Sequence, residues 1–358
     1  MRIGIPKEIK TLEFRVALLP DACASLVKAG HDVLLESGAG RGIGYADEAY
    51  TAVGVRIATD AAELWGEADL IVKVKEPQKA ELALIESRHT LFGYLHLAAE
   101  PDLARALRSS GALCIAYETV TDTAGGLPLL APMSDIAGRL AVQVGAAWLM
   151  RPMGGRGVLL GGVTGTDRGH VAVLGAGAAG QHAARTAAEL GARVTVLDVR
   201  RAPMERLCAR YPNITGVYSS HGALEALLPS VDLLVGAVLV PGARAPRLVD
   251  RDMVASMPEA SMVVDISVDQ GGCIGTTRPT TWEDPVYTEE GVQHFAVTNM
   301  PGAVARTASQ ALSGAVLPHL LRLARSDWRD DPGLAAGVNV EDGRLVHEAV
   351  RNALEADG

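Results

Sequence analysis

The sequence predicts an α/β protein of two doubly wound domains with a cleft between them. Three observations predict it. Short apolar runs alternate with helical periodicities along most of the 358 residues, the order expected of parallel sheets covered on both faces. A break at Gly125-Gly126-Leu127-Pro128 and a glycine-rich loop over 153–165 separate two such series. The second series opens on a strand–turn–helix with glycines at 175, 177 and 180.

In chain order, residues 2–5 form a short apolar strand, and 20–29 a helix stopped by Gly30. Strands follow over 32–36 and 69–75, the latter ending in Glu76-Pro77. Residues 79–86 read as a helix, 90–94 as a strand, 101–109 as a helix ended by Gly111, and 112–117 as a strand. Past the break, 134–150 is a long helix. The second series places strands at 170–174, 193–197, 232–238, 262–268 and 294–298. From Gly302 the pattern is helical through 306–325, and an amphipathic stretch near 346–354 ends a polar tail. The two series share only their α/β alternation.

Composition narrows the function classes. At about 100–200 residues per domain the length suits two domains. The net charge of −9 gives no general basic footprint for nucleic acid, with Arg200-Arg201 only a local pair. Four cysteines without a C-x-x-C fit reduced thiols and a cytoplasmic protein. Lys7 and Glu8 stand where a secretory leader needs an apolar run. No stretch reaches the roughly 18 apolar residues of a membrane span, so no membrane partner is expected. The histidines and cysteines lack metal-ligand spacing, so no metal is expected. No G-x-S-x-G elbow occurs, and Gly154-Gly155-Arg156-Gly157 lacks the ending of a P-loop.

Residues 170–198 read HVAVLGAGAAGQHAARTAAELGARVTVLD. Gly175 permits the tight turn from strand to helix, Gly177 lets backbone approach a pyrophosphate, and Gly180 lets the helix pack close to the strand. The helix N-terminus then offers N–H groups and partial positive charge to phosphate. Asp198 lies at the end of the next strand, where a carboxylate receives both adenosine ribose hydroxyls and repels a 2′-phosphate. This predicts a Rossmann unit binding NAD. Arg200 and Arg201 are the reservation, because arginine beside this position can accept a 2′-phosphate.

Ligands of open parallel sheets sit beyond the carboxyl ends of the strands. Lys75 closes one predicted strand, His96 lies just past another, Asp269 follows a third, and Arg15 lies in the loop after the first. Each has a plain alternative. Lys75 can be a solvated edge charge and His96 a structural histidine. Asp269 can make an Asx-turn before Gly271-Gly272, and Arg15 can pair with Glu13 or Glu8 on the surface. Read as a site, they suit an amino-acid substrate. Arg15 binds a carboxylate bidentately, Lys75 polarises a carbonyl, and His96 exchanges protons near neutral pH. Asp269 orients water or stabilises an iminium.

With these motifs in hand, the chain resembles the family of alanine dehydrogenases and the nucleotide-binding α part of proton-translocating transhydrogenase. The resemblance runs nearly the whole length, through RIGIPKEIK (2–10), FRVALLP (14–20), GHDVLLESGAG (30–40), ADLIVKVKEP (68–77), GYLHLA (93–98), APMSDIAGRLAVQVGA (131–146), GGRGVLLGGV (154–163), VVDISVDQGGC (263–273) and TNMPGAV (298–304). It implies a catalytic domain split between 1–128 and the C-terminal helices of 304–358, with the Rossmann NAD-binding domain, 129–303, inserted. It implies reversible conversion of L-alanine, NAD and water to pyruvate, ammonium and NADH. Arg15 and Lys75 then hold the substrate, His96 is the acid/base, and Asp269 assists. Met133 and Ser134 lie near the cofactor, Asp198 holds the ribose, and Val238, Leu239 and Asn299 line the nicotinamide side. Homohexamers are common in the family. Two stretches depart from its pattern, Ala305–Gln310 and Thr164–Gly169. A dehydrogenase for another small amino acid or keto acid, a transhydrogenase subunit and a non-catalytic NADH-binding sensor are the alternatives. The last would require loss of Arg15, Lys75, His96 or Asp269, and none is lost.

Overall fold

The computed structural model describes residues 1–238 and 245–356. The chain divides into two compact units, Met1–Met133 with Gly302–Gly358, and Ser134–Pro301. Both are α/β, and each carries one mixed, mainly parallel sheet.

The first unit opens with strands β1 (Arg2–Ile5), β2 (Asp32–Glu36), β3 (Arg56–Ala58), β4 (Leu70–Val72), β5 (Thr90–Gly93) and β6 (Leu113–Ala116). The second contains β7 (His170–Leu174), β8 (Arg193–Asp198), β9 (Ile214–Tyr218), β10 (Leu233–Gly236), β11 (Met262–Asp265), β12 (Val286–Glu289) and β13 (Val292–Phe295). Two late strands, β14 (Val338–Glu341) and β15 (Arg344–Leu345), return to the first unit.

The first sheet runs β15-β14-β6-β5-β4-β1-β2-β3, parallel from β3 to β6, with β14 and β15 added antiparallel. The second runs β12-β13-β11-β10-β7-β8-β9, parallel except for β12. The alternation common to both halves of the sequence therefore conceals a shared strand order. In each sheet the first strand of the series lies between the second and the fourth. That neighbour pair, β1/β4 or β7/β10, is the topological switch point, where successive crossovers leave in opposite directions and a crevice opens beyond the strand ends.

Small residues set the packing there. A side chain at Gly4 in β1 would lie 2.7 Å from Ala68 Cβ and 2.9 Å from Leu64 Cδ2, so the helix Ala61–Glu67 seats directly on the strand. In the second unit, the helix Ala131–Trp148, from Ser134 on, approaches Ala179 through Gly138 and Leu233 through Gly145. The central strands β1, β4, β7, β10 and β11 have fully buried interiors, mostly Val, Leu and Ile, as a parallel sheet covered on both faces requires.

Several predicted elements are shorter than expected. The strand predicted over 69–75 stops at Val72, because Val74 N–H and Lys75 N–H turn to the Glu8 carboxylate at 2.7 and 3.3 Å. The helix predicted over 79–86 is only the 3-10 turn Leu82–Leu84. There Glu81 accepts from Gln78 N–H and reaches back to Lys73. The strand predicted over 262–268 ends at Asp265, whose carboxylate accepts from Ser267 N–H and starts the 3-10 turn Ile266–Gln270. The short strands β3, β9, β12, β14 and β15 were not expected from the sequence.

Candidate active site

In the first unit, Arg15, Lys75 and His96 lie on the loops that follow β1, β4 and β5, three adjacent strands. Arg15 is 2% exposed. It meets Glu13 through two side-chain bonds, Nε to Oε1 at 2.7 Å and Nη2 to Oε2 at 2.5 Å. The anticipated pairing with Glu13 thus exists, but inside the unit rather than on its surface. Arg15 Nη1 also points at Met133 Sδ, 3.3 Å away. Met133, expected beside the cofactor, is buried against that guanidinium. The helix Ala305–Leu323 fixes the segment carrying Arg15: Ser309 Oγ accepts from Val16 N–H at 3.0 Å and Ser313 Oγ from Leu19 N–H at 2.9 Å. The divergent stretch Ala305–Gln310 therefore includes a residue that orients the arginine loop.

Lys75 is buried, not a solvated edge charge. Its ammonium stands 3.4 Å from Glu76, which Lys10 also reaches at 2.5 Å. Burial alone would raise the Glu76 carboxyl, but Lys75 and Lys10 overcome it and hold the group at about 2, against its ordinary 4.5. A carboxylate whose folded value lies below its unfolded one stabilises the fold fully above about pH 4.5, and this is lost as pH falls towards 2. The contribution is on the order of 3 kcal/mol. Thermal unfolding should therefore show wild type more stable than Glu76→Gln at pH 7, with the gap narrowing below pH 4.5. A gap unchanged from pH 6 to pH 3 would refute the assignment.

Beneath Lys75 lies a buried cluster that the sequence reading missed. Lys73 Nζ sits 2.6 Å from Glu81 Oε1 and 3.3 Å from Glu8 Oε2, with all three side chains buried. Burial pushes the Glu8 carboxyl up, and Lys73 partly offsets it; for Lys73 the two carboxylates outweigh burial and raise its value. A signal was available in LIVKVKEP, where two lysines alternate with apolar residues in the run predicted as a strand.

His96 is half-buried and adopts a left-handed backbone, φ 49° and ψ 36°. The Glu118 carboxylate, also missed, accepts His96 N–H at 2.6 Å and Leu95 N–H at 3.2 Å. The imidazole stacks on Tyr94, with ring centroids 5.9 Å apart and planes within 8°. Tyr94 is anchored in turn by donating to Leu129 O at 2.5 Å. Leu95 and Leu97, flanking His96, share a buried cluster with Val350 and Leu354 of the final helix.

In the second unit, Gly175, Gly177 and Gly180 sit where β7 meets the helix Ala178–Glu189. Gly175 has φ +93°, and a side chain there would come 2.8 Å from Ala237 O. A Cβ on Gly180 would lie 1.8 Å from Gly175 O. A Cβ on Gly177 would meet nothing within 4 Å, and this residue caps the helix without a side-chain bond. The first-turn N–H groups are thus left for an anion, the cradle a pyrophosphate needs. Val238, past the end of β10, is half-buried and closes against Gly175. Leu239 lies outside the described residues. Ser134 is half-buried, and Asn299 is half-buried with a left-handed φ of 58°.

Asp198 ends β8 and is buried. It accepts from Ala176 N–H at 2.6 Å and Arg200 N–H at 2.8 Å, and pairs with the Arg200 guanidinium at 3.2 Å. Burial would raise this carboxyl, yet Arg200 and the backbone donors hold it below its ordinary value. Asp269 is exposed in the turn Ile266–Gln270. The aspartate that organises this loop is instead Asp265, fully buried, which accepts from the N–H groups of Ser267, Cys273 and Ile274. Among the described residues no cluster of histidine, cysteine and carboxylate could hold a metal ion, and no helix is long and apolar enough to cross a membrane.

The chain is similar to known proteins over nearly its whole length. Residues 4–137 match the N-terminal domain, and residues 141–348 the C-terminal domain, of "Alanine dehydrogenase/PNT". The alanine dehydrogenase of Halomonas elongata is 51% identical over 358 residues, covering 99% of this chain and 96% of its own. That of Mycobacterium tuberculosis is 46% identical, covering 99% of this chain and 97% of its own. Among solved structures, an L-alanine dehydrogenase superposes with a TM-score of 0.95 at 46% identity over all of both chains. A transhydrogenase from Sinorhizobium meliloti gives 0.84 at 27% identity, covering 98% of this chain and 100% of that one.

Proposed function

The chain belongs to the alanine dehydrogenase/PNT family, and from that premise we propose that it is an NAD-dependent oxidoreductase that reversibly converts L-alanine and water to pyruvate and ammonium. The observation that carries this reading is the set of strand-end groups, Arg15, Lys75 and His96, on three adjacent loops of the first unit. The second unit contributes a glycine cradle suited to a dinucleotide. When bound, NAD supplies the hydride acceptor. Gly175, Gly177 and Gly180 would hold its pyrophosphate and Asp198 its adenosine ribose. Ser134, Met133, Val238 and Asn299 are assigned to its remaining contacts by family resemblance.

In this reading Arg15 binds the substrate carboxylate, already oriented by Glu13. Lys75 adds positive charge beside the substrate carbonyl and stabilises oxygen as negative charge grows on it. His96 takes the proton from water as it adds to the iminium carbon. It returns that proton to the amine nitrogen, then takes the hydroxyl proton as ammonia leaves and the carbonyl forms, and runs the same transfers backwards for reductive amination. Asp269 assists the proton traffic. Family resemblance supports a homohexamer, testable by sedimentation, and four free cysteines support a cytoplasmic setting.

The deciding assay is oxidation of NADH with pyruvate plus ammonium. Turnover with pyruvate preferred over other small keto acids is expected. Preference for another keto acid would move the substrate within the class. Binding of NADH without turnover on any keto acid would overturn the enzyme reading in favour of a nucleotide sensor.

A further inference from the structure

Asp265 closes β11 as a fully buried carboxylate. Such a group is costly in an apolar interior unless it is hydrogen-bonded. Its backbone partners come from one excursion of the chain. Oδ1 accepts from Ser267 N–H at 2.9 Å, where the turn Ile266–Gln270 departs. Oδ2 accepts from Cys273 N–H at 3.0 Å and Ile274 N–H at 3.2 Å, where the chain returns. Burial pushes the carboxyl up, and these N–H groups partly offset it. One side chain thus pins both ends of the loop that carries the exposed Asp269.

The neighbours are shaped around this carboxylate. Gly236 pairs with Asp265 across β10 and β11, and a side chain there would lie 2.9 Å from Asp265 Oδ1. The pinned turn holds its surroundings in turn: Ser267 Oγ donates to Val238 O at 2.8 Å, and Gln270 O accepts from Ala245 N–H at 2.9 Å.

We propose that Asp265 is a positioning residue for the dehydrogenase reaction: by fixing both ends of the turn, it sets where Asp269 stands while Asp269 assists proton transfer. The inference rests on reading Asp269 as a participant in that chemistry. The isostere of Asp265 cannot stand in for it. Both oxygens accept from N–H groups, so an asparagine turned either way aims its NH2 at a donor, and the turn must shift. A misplacement of about 1 Å can cost about 10²-fold in rate. The glycine cradle and Asp198 belong to β7 and β8 and the turn after β7, outside this loop.

A double-mutant cycle tests this in the full chain, with turnover read on pyruvate plus ammonium and NADH affinity read by nicotinamide fluorescence. Asp265→Asn is expected to lower kcat by about 10–100-fold, with KM for pyruvate and Kd for NADH within about threefold of wild type. Adding it to Asp269→Asn should lower kcat by no more than about threefold further, because the group it positions is already gone. Gly236→Ala displaces the same carboxylate from the neighbouring strand without altering its charge, and the same non-additivity is expected of it, so misfolding of one variant leaves the other to decide. Losses that multiply in the double variant, a kcat within about threefold of wild type, or an equal loss of NADH affinity would each overturn the inference. Wild-type turnover in Asp269→Asn alone would overturn the part given to Asp269 and the inference with it, whereas a wild type without turnover on any keto acid overturns the enzyme reading itself.

Discussion

Replacing His96 by alanine is expected to lower kcat by roughly 10²–10⁴-fold, the span for losing a positioned general acid–base group, with NADH affinity unchanged. Several groups of the first unit hold this residue in an unfavoured shape. A left-handed backbone costs a non-glycine residue about 1–2 kcal/mol. His96 adopts it because Glu118 accepts its N–H and that of Leu95, while Tyr94 fixes the ring plane. Such strain persists only where the surroundings over-determine it, and it clusters at working sites. Alanine changes both backbone preference and chemistry, so His96→Asn is the sharper variant, since asparagine tolerates the left-handed region. Both should lose turnover to a similar degree. If His96→Asn kept activity within about tenfold of wild type, hydrogen bonding and not proton transfer would be the side chain's role.

The second large effect concerns stability. Lys73→Ala should destabilise the chain by about 3–5 kcal/mol, because it strands Glu8 and Glu81 as buried carboxylates without their cation. The double change Lys73→Met with Glu81→Gln should recover part of the loss, since removing a buried pair together costs far less than breaking it. Urea unfolding followed by circular dichroism reads both. A loss under about 1 kcal/mol for Lys73→Ala would mean that the cluster relaxes or admits water at little cost. Turnover should fall as well, because Glu8 also holds the backbone N–H of Lys75.

The parts of this molecule legible in the sequence are those whose cause is local. The turn at Gly175, Gly177 and Gly180 is dictated by backbone approach within one strand–turn–helix, and the glycine spacing records it. Strand β7 is found where its apolar run lies, and β1 and β2 likewise. The partners of charged groups were not legible, because they are set by topology. Glu8 meets Lys73 only because β1 and β4 are neighbours at the switch point. Glu118 reaches His96 only because β5 and β6 are paired. Asp265 and Asp269 look equally available in DISVDQ, yet only the fold decides which is buried and organises the loop. The short strands of the first unit have no periodicity of their own to announce them; β14 takes its place by completing an edge already built.

That edge has a consequence for biosynthesis. Strand β14 pairs with β6 at Val338 and Ile115, about 220 residues apart in the chain. At roughly 5–20 residues per second, a ribosome makes the intervening stretch in about 10–45 s. For that interval β6 is complete while its neighbour on that side does not yet exist, and an open strand edge is a template for pairing with another chain. The whole second unit is made during the wait. Nascent chains of this protein should therefore be most prone to associate with one another, and most in need of a chaperone, while that unit is still emerging.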